Sequence, residues 1–373
     1  MIGLGMFEAT SEADLAGYLA GAEAPISVRG GGTRGVLAEG TPLRVAMSGI
    51  TLYEPGALTL VAAAGTPVAE IEAALAAEGQ RLAFEVPDMR GLLGTEGQST
   101  IGGVVASNAS GPRRVAVGAA RDFLLGVRFV DGAGRVVKNG GRVMKNVTGY
   151  DLVKLMAGSH GTLGVLTEVA LKVLPRPEVA GVISIDGLAP EQAVAAMSSA
   201  QGTPWEITGA AYTDLCANDR SSVMLRIEGI AGSVEYRLGR LKAHLAGFGD
   251  VETVVSDTLD WPWVRDVERF AGGADDVWRL HVKPSDAPGL IARLPEGSRV
   301  MMDWGGALIW AGVQAGTDLR AALGPFQGHA TRVRGQGGGI ARFHPEAPVV
   351  ARLSAGLRER FDPRGILNRG LMA

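Results

Sequence analysis

Three glycine-rich segments in the first half of the sequence have the composition of loops that bind a phosphate-bearing ligand. They span residues 29–35 (RGGGTRG), 99–111 (STIGGVVASNASG) and 158–164 (GSHGTLG). Glycine lets the backbone approach a ligand closely and adopt positive φ, so successive N–H groups can converge on phosphate oxygens. One such segment is a weak signal, whereas three of them predict a long ligand that lies along exposed backbone. A dinucleotide is the ligand that this pattern favours.

The first segment also matches the letters G-x-G-x-x-G, from Gly30 to Gly35. In a Rossmann fold this fingerprint requires a helix that begins inside the loop, so that the pyrophosphate meets the helix N-terminus. The residues that follow, 36–42 (VLAEGTP), are too few and too interrupted by Gly and Pro to form that helix. We therefore interpret the segment as a phosphate loop of another fold, with a plain structural turn as the alternative.

The second segment leaves two interpretations open. Its residues are nearly all small, which fits a helix that packs tightly on a sheet. The other interpretation is a ligand loop, in which Thr100, Ser107 and Asn108 add side-chain donors to the exposed backbone. Neither is preferred on the segment alone.

The third segment belongs to a more specific run, residues 143–169 (VMKNVTGYDLVKLMAGSHGTLGVLTEV). Polar and turn residues at 146–151 cluster just before a predicted amphipathic helix, 152–157, and the turn at 161–164 leads into a predicted strand. Polar side chains placed among apolar ones in this way indicate a site rather than a solvated surface.

Composition narrows the classes of function. The chain has 373 residues and a net charge of −3, so nothing favours binding to nucleic acid or to an anionic membrane surface. The single cysteine, Cys216, excludes a disulfide framework, a zinc finger and an iron–sulfur cluster held by this chain alone. The sequence has no run of about 18 apolar residues and no signal-peptide pattern at its start. We therefore expect a cytoplasmic protein without a transmembrane segment.

Hydrophobic periodicity predicts the elements that position these segments. A capping box at residues 10–14 predicts a short helix to about Ala20. The other predicted helices of the first half are residues 68–78 and 152–157, and its predicted strands are 26–29, 58–64, 123–130, 135–138 and 165–174.

A Pro-X-Pro pair at residues 175–177 is the best candidate for a domain boundary, since all six tryptophans follow it. Beyond the pair, predicted strands alternate with predicted helices, which is typical of an α+β domain with an antiparallel sheet. The strands are residues 182–185, 223–227, 277–282 and 307–313, and the helices are 191–200, 234–245 and 347–360.

Residues 25–175 resemble the flavin-binding domain of the vanillyl-alcohol oxidase and UDP-muramate reductase superfamily, which has the PCMH-type fold. The runs KNVTGYDL and GSHGTLGVLTEV narrow this to the 2-hydroxy-acid dehydrogenase branch. With the ending FDPRGILNRG, the whole chain resembles the FAD-binding E subunits of glycolate oxidases. The resemblance implies an α+β protein: a two-subdomain FAD-binding domain at 1–175, an α+β cap domain at 176–340, and a segment at 341–373 that returns to the FAD domain.

The resemblance also implies which residues bind FAD. The first segment is expected at the pyrophosphate, the second at the pyrophosphate and the flavin edge, and the third near the adenine and ribose. An Asn of the C-terminal motif is expected beside them. The matching positions are Arg29, Gly30, Gly31, Gly32, Thr33, Thr100, Gly102, Gly103, Ser107, Gly111, Gly161, Gly164, Val165 and Asn368. Members with covalent flavin place a His after the first glycines, where this chain has Thr33-Arg34. Non-covalent FAD is therefore expected.

The function implied by the resemblance is that of an FAD-dependent 2-hydroxy-acid oxidoreductase, as a subunit of a complex that oxidises glycolate to glyoxylate. Its expected partners are a longer paralogous flavoprotein subunit and an iron–sulfur subunit that receives the electrons, and these could bring the protein to the inner face of the membrane. Two alternatives remain open: a stand-alone dehydrogenase of the D-lactate type, and a non-catalytic relay or structural subunit.

Longer catalytic members of the branch carry a His-X-His metal and substrate cluster in the cap domain. The five histidines of this chain are far apart in sequence, so no metal site and no confident base is predicted. The isolated chain is therefore expected to be reduced by glycolate slowly or not at all. His281, Lys283 and His344 are the next candidates for a base. The arginines that could clamp a carboxylate are Arg332, Arg334 and Arg342.

Overall fold

The computed structural model describes residues 5–35, 38–142, 149–215, 220–256, 261–335, 337 and 339–372. Cys216 and residues 146–148 of the polar run before the helix at 152 lie outside the described residues. In the first half the strands are β1 Phe7–Ala9, β2 Ile26–Arg29, β3 Thr41–Val45, β4 Ile50–Glu54, β5 Thr59–Ala63, β6 Gln80–Arg81, β7 Leu124–Val130, β8 Val136–Gly140, β9 Val165–Lys172 and β10 Leu174–Pro175. The α-helices are α1 Glu12–Gly21, α2 Val68–Ala77, α3 Arg90–Leu93, α4 Ile101–Ser107, α5 Arg114–Val117 and α6 Leu152–Met156.

Two sheets form the framework of this half. A three-stranded parallel sheet has the order β1-β3-β2, and a five-stranded antiparallel sheet has the order β4-β5-β9-β7-β8. One core, which includes Leu43, Phe84, Ile101 and Phe129, joins the two sheets with the helices α1, α2 and α4. The glycine-rich segments follow β2, precede and form α4, and precede β9, so all three meet where the two sheets face each other.

The C-terminal segment extends the parallel sheet. The N–H of Ile26 donates to the carbonyl of Ile366 at 2.7 Å, and the N–H of Asn368 donates to the carbonyl of Ile26 at 3.0 Å. Ile366 and Leu367 are buried in the core of the first half. The end of the chain is thus anchored beside the first glycine-rich segment.

The second half forms one large sheet. Its strands are β11 Val179–Asp186, β12 Ile207–Thr213, β13 Ser222–Gly229, β14 Val251–Ser256, β15 Asp276–His281, β16 Arg299–Asp303, β17 Leu308–Val313 and β18 His329–Arg334. The α-helices are α7 Pro190–Gln201, α8 Ala231–Leu245, α9 Pro262–Arg265, α10 Ala287–Ile291, α11 Leu319–Leu323 and α12 Pro348–Phe361. The eight strands are antiparallel in the order β14-β11-β13-β12-β16-β17-β15-β18, as the predicted antiparallel sheet requires.

Both faces of this sheet are covered over much of its area. Trp278, Met302 and Ile309 face a core that includes residues of α7, α8, α10 and α11. The preceding residue on each of these strands points to the opposite face of the sheet. Val277, Met301 and Leu308 therefore belong to a second core, together with Leu92 of the first half. Polar residues at alternate strand positions on that second face are therefore enclosed between the two halves.

Buried ion pairs join the two halves. The guanidinium of Arg226 on β13 binds the carboxylate of Glu85 in two places, at 2.8 and 2.9 Å. Glu228, two residues along the same strand, accepts from Arg81 at 2.7 Å and from Arg113 at 3.1 Å. Because these groups are almost fully buried, loss of one partner would leave an uncompensated charge, which costs about 3–5 kcal/mol. These contacts fix the position of the cap sheet over the first half.

The main differences from the predicted elements have local causes. Residues 101–107 are a helix, so the helical interpretation of the second segment is correct for the backbone. Thr100 caps the N-terminus of this helix, the hydroxyl of Ser107 donates to the carbonyl of Gly103 within it, and Asn108 is its C-terminal cap. These three residues therefore stabilise the helix. The strand predicted from residue 58 begins at Thr59, because Leu58 adopts the left-handed conformation at φ 51°. No helix among the described residues is long and apolar enough to cross a membrane.

Candidate functional site

The three glycine-rich segments and the C-terminal segment line one cavity, which we call the first cavity. Every residue that the sequence assigned to FAD lies in its wall, except Gly111. The remaining wall residues are Val28, Arg34, Gly35, Val45, Ala64, Ala106, His160 and Leu166. Folding therefore brings together segments that are up to 340 residues apart in sequence, as in the bond between Val28 and Asn368.

The glycines of this wall serve two different purposes. At Gly31 a Cβ would lie 1.6 Å from the backbone oxygen of Gln98, and at Gly102 it would lie 2.7 Å from Ala64. These two glycines are required by the close packing of the protein itself. In contrast, a Cβ at Gly32 would meet nothing within 4 Å, and one at Gly103 would meet only the Thr100 hydroxyl at 3.3 Å. The backbone at Gly32 and Gly103 is thus left open to a ligand.

Asn368 connects three parts of the wall. Its Oδ1 accepts from the N–H of Val28 at 2.7 Å, and its Nδ2 donates to the carbonyl of His160 at 2.7 Å. The side chain is buried, with 4% of the residue exposed. Asn368 therefore holds the strand before the first segment against the loop of the third.

Replacement of Asn368 by alanine is expected to weaken both the fold and FAD retention. It leaves one N–H and one carbonyl without a partner, at about 1–3 kcal/mol for each buried group. Asn139→Ala is the matched control, because Asn139 also bonds backbone groups, of Tyr150 and Leu152, but lies outside the first cavity. Denaturant unfolding should show both variants destabilised, with FAD loss confined to Asn368→Ala. Equal FAD content in the two variants would contradict this role.

Gly111 is the exception among the predicted cofactor residues. It lies in the wall of a neighbouring cavity and not of the first. Its N–H donates to the carbonyls of Phe84 and Glu85, and its own carbonyl accepts from the indole N–H of Trp304 at 3.1 Å. Gly111 therefore contacts the cap sheet at the boundary between the halves.

This second cavity has a volume of about 550 Å³ and lies between the first half and the cap sheet. Three residues, Arg34, Ser107 and His160, line both cavities, so the two spaces share a wall. The rest of its wall comes from β15 to β18, the segments 87–89, 109–111, 264–267 and 342–346, and Met372.

Strand register arranges the sheet residues of the second cavity in two rows. Asp303, Leu308, His281 and His329 are successive partners across β16, β17, β15 and β18. Two residues along the strands, Trp310, Arg279 and Thr331 form the next row. All seven side chains lie on the same face and all line the cavity.

Arg279 forms no ion pair with a described carboxylate, although the more distant Asp303 of the same cavity partly offsets the effect of burial on its pKa. It makes no hydrogen bond or ion pair with any other described residue, and its Nε is inaccessible and without a partner. Its guanidinium lies over the rings of Trp304 and Trp310, 5.5 and 5.7 Å from their centroids. Burial lowers the pKa of Arg279 to about 10, so it stays protonated at neutral pH. A guanidinium held in this state is suited to bind a carboxylate in two places.

Histidines also converge here, although they are distant in sequence. Four of the five, His160, His281, His329 and His344, line the second cavity. The rings of His281 and His329 stack with centroids 4.7 Å apart. Burial, with Arg279 next in importance, lowers the pKa of His281 to about 2. No group of three or more potential metal ligands occurs among the described residues.

The structure separates the three arginines that the sequence suggested as a clamp. Arg332 is buried and paired with Asp276 at 2.7 Å, and Arg334 donates to the carbonyls of Asp275, Leu92 and Phe270. Only Arg342 lines the cavity, where it also donates to the carbonyl of Gly35. Lys283 is exposed and is not part of the wall. Sequence reasoning missed Arg279 because an alternating Arg in a strand is typical of a solvent-facing position.

Comparison with known proteins places this geometry in context. The chain matches a family of FAD-binding domains over residues 4–140. It is 37% identical over 326 residues to the glycolate oxidase subunit GlcE of Escherichia coli (strain K12), covering 87% of this chain and 84% of that protein. Over 80 residues it is 44% identical to the glycolate oxidase subunit GlcD of Bacillus subtilis (strain 168), covering 21% of this chain and 17% of that protein.

A solved structure of alkyldihydroxyacetonephosphate synthase has a similar fold, with a TM-score of 0.71 and 16% identity, over 98% of this chain and 77% of that chain. The match to FAD-binding domains and this fold similarity confirm the predicted PCMH-type α+β class. The FAD-binding domain match also confirms FAD as the predicted cofactor.

Proposed function

Because this chain belongs to the family of FAD-binding glycolate oxidase subunits, we propose that it oxidises glycolate to glyoxylate in its second cavity, with FAD held in the first. The observation that carries this proposal is the shared wall of the two cavities, with the unpaired Arg279 on the far side of the second. A cofactor site and an anion site that touch each other are the minimum that a hydroxy-acid dehydrogenase needs.

The first cavity fits a dinucleotide. The open backbone at Gly32 and Gly103 can approach phosphate oxygens, and the packing at Gly31 and Gly102 fixes the segments that carry them. Arg29 supplies a cation to the same wall. FAD, when bound, supplies the acceptor for a hydride, and the protein supplies position and charge. We place the redox-active end of FAD at Arg34, Ser107 and His160, because these residues line both cavities. This differs from the expectation for the third segment, which contains His160 and was assigned to the adenine and ribose.

The second cavity fits a small carboxylate beside that end. Arg279 offers the fork for the carboxylate, and Arg34 and Arg342 add positive charge to the wall. His160 stays neutral, since burial and the surrounding arginines lower its pKa to about 4. A cavity of about 550 Å³ is larger than a two-carbon acid requires, and the flavin ring would take up part of the remainder.

The second cavity changes one expectation drawn from the sequence. A chain without an anion anchor or base would be a relay, and slow or absent reduction by glycolate was predicted for that reason. The structure does not test that rate, but the enclosed Arg279 supports a substrate site in this chain. The stand-alone D-lactate-type alternative would use the same residues and differ only in the acid that fits.

The electrons need an acceptor outside this chain. The relatives named above are subunits, which supports a multisubunit complex for this protein. The proposal therefore includes a longer flavoprotein subunit and an iron–sulfur subunit. The iron–sulfur cluster must belong to a partner, because the single cysteine of this chain cannot hold one.

Addition of glycolate without air to the FAD-loaded chain tests the proposed oxidation, since loss of the flavin absorption band is expected. A flavin that glycolate reduces only after the partner subunits are added would assign this chain to the relay role, and one that stays oxidised even in the complex would leave only a structural role.

The purified chain is expected to be yellow and to release intact FAD on acid or heat denaturation. No His follows the glycines of the first segment, so no covalent link is expected there. The measurement is the absorption spectrum of the supernatant after the protein has been precipitated. Flavin that remains in the pellet would refute non-covalent binding, and a colourless protein that does not take up added FAD would refute the cofactor site.

A further inference from the structure

Asp303 is a buried carboxyl group with one oxygen that the protein does not use. It ends β16 and lines the second cavity, with 3% of the residue exposed. Its Oδ1 accepts from the N–H of Trp304 at 2.7 Å. No other described residue makes a hydrogen bond or ion pair with Asp303, so Oδ2 is available to a molecule in the cavity. A carboxyl group in a nearly enclosed position, with one oxygen open to the cavity, is placed to contact a molecule bound there.

Asp303 lies opposite the anion anchor. It begins the row that continues through Leu308 to His281, two strands or roughly 10 Å away at the backbone. Arg279 is in the next row on the same strand as His281. A small acid bound by its carboxylate to Arg279 would therefore have its other end toward Asp303. The α-hydroxyl of a two-carbon acid is at that other end.

We propose that Asp303 is the catalytic residue that accepts the hydroxyl proton of the substrate, an inference that rests on the proposed function of the second cavity. Oxidation of the substrate breaks the O–H bond of its α-hydroxyl group and one C–H bond of the α-carbon, and it forms a C=O bond between that carbon and oxygen. The proton goes to the Oδ2 of Asp303, and the hydride, with the electron pair of the C–H bond, goes to FAD. The same group then returns the proton to solvent after the product has left the cavity.

The histidines of the same row are weaker candidates for this role. A base works best when its pKa is near the working pH. Burial raises the pKa of Asp303 to about 7, and nearby Glu85 adds to this rise. The N–H of Trp304, Arg226 and Arg279 act in the opposite direction. Imidazolium at His281 is disfavoured by burial and by the cation of Arg279, so His281 is a poor proton acceptor.

Asp303→Asn tests the proposal, because Asn keeps an acceptor for the Trp304 N–H and the shape of the side chain. In FAD-loaded full-length protein, the anaerobic rate of flavin reduction by glycolate should fall by about 100-fold or more. Binding of oxalate, which has no C–H bond to lose, should not weaken. Asp318→Asn is the matched control: Asp318 also caps a helix by accepting backbone N–H groups, but it lies outside the cavity.

The pH dependence gives a second measurement. In the wild type the reduction rate should rise as pH passes through about 7, because Asp303 acts only when deprotonated. This rise should be absent in Asp303→Asn. Infrared difference spectra of the oxidised protein should show a protonated carboxyl band lost over the same pH range, and the variant should lack it.

The outcomes separate the two proposals. Reduction of Asp303→Asn at the wild-type rate, with the same pH dependence, would overturn the role of Asp303 and leave the proposed function intact. If wild-type protein binds oxalate but glycolate never reduces it, both the oxidation and the proton transfer are overturned. If the wild-type protein binds neither oxalate nor glycolate, the assignment of an anion site to the second cavity is wrong.

Discussion

Arg279→Gln is expected to weaken oxalate binding by about 30- to 1,000-fold, from the roughly 2–4 kcal/mol that a partly buried, charge-assisted pair contributes. The reason is that Arg279 is the cation of the second cavity without a partner among the described residues. FAD content should not change, since Arg279 does not line the first cavity. The measurement is a titration of the FAD-loaded protein with oxalate, followed by the flavin difference spectrum.

Two further variants sharpen this prediction. Arg279→Lys keeps the charge and loses the fork, so its affinity should lie between those of the wild type and Arg279→Gln. Arg240→Gln, on an exposed position of α8, should leave binding unchanged. Thermal stability offers an independent check. Removal of an unpaired charge from an enclosed position should not destabilise the protein, whereas a purely structural arginine would. Undiminished oxalate binding by Arg279→Gln would show that the anion anchor lies elsewhere.

Gly103→Asp is expected to abolish FAD retention while the fold persists. A Cβ at this position meets only the hydroxyl of Thr100, at 3.3 Å, so the side chain can be accommodated. Its carboxylate would then project into the cavity where the phosphates are expected. Two like unit charges about 4 Å apart repel by roughly 4 kcal/mol at an effective dielectric constant of 20, or about 1,000-fold in affinity.

Gly17→Asp is the matched control, since Gly17 lies on the exposed side of α1 with nothing within 4 Å of its Cβ position. Circular dichroism should show both variants folded, with FAD lost from Gly103→Asp alone. Gly31→Asp is a poor test of the same idea. Its Cβ would lie 1.6 Å from the oxygen of Gln98, so FAD loss there would follow from a displaced loop. Full flavin content in folded Gly103→Asp would move the cofactor away from α4.

The sequence predicts the first cavity better than the second, for a physical reason. Loops that bind a dinucleotide need glycine at short spacing, and the three segments are visible one at a time in the sequence. Gly111 is the one predicted FAD-binding residue outside the wall of the first cavity, because the chain turns away from that cavity after the end of α4. Several of the apolar strands and helices were also predicted, with ends that shifted by up to three residues, but β16 and β18, which carry Asp303 and His329, were not.

The second cavity depends on pairings between distant strands. Residues such as Arg279 and Asp303 occupy alternate strand positions, which normally predict a surface that faces water. Only the packing of the whole cap sheet against the first half shows that this face is enclosed. His281 and His329 are 48 residues apart in sequence and become neighbours because β15 pairs with β18. The hydrophobic periodicity of the sequence does not predict which distant strands pair.

An oxalate titration of FAD-loaded wild-type protein and Arg279→Gln tests most directly whether an anion site containing Arg279 adjoins the redox-active end of FAD. We expect a saturable change in the flavin spectrum of the wild type, absent or shifted to far higher oxalate in the variant, with equal FAD content in both. A wild-type spectrum that oxalate leaves unchanged, or an identical titration of the two proteins, would contradict the claim.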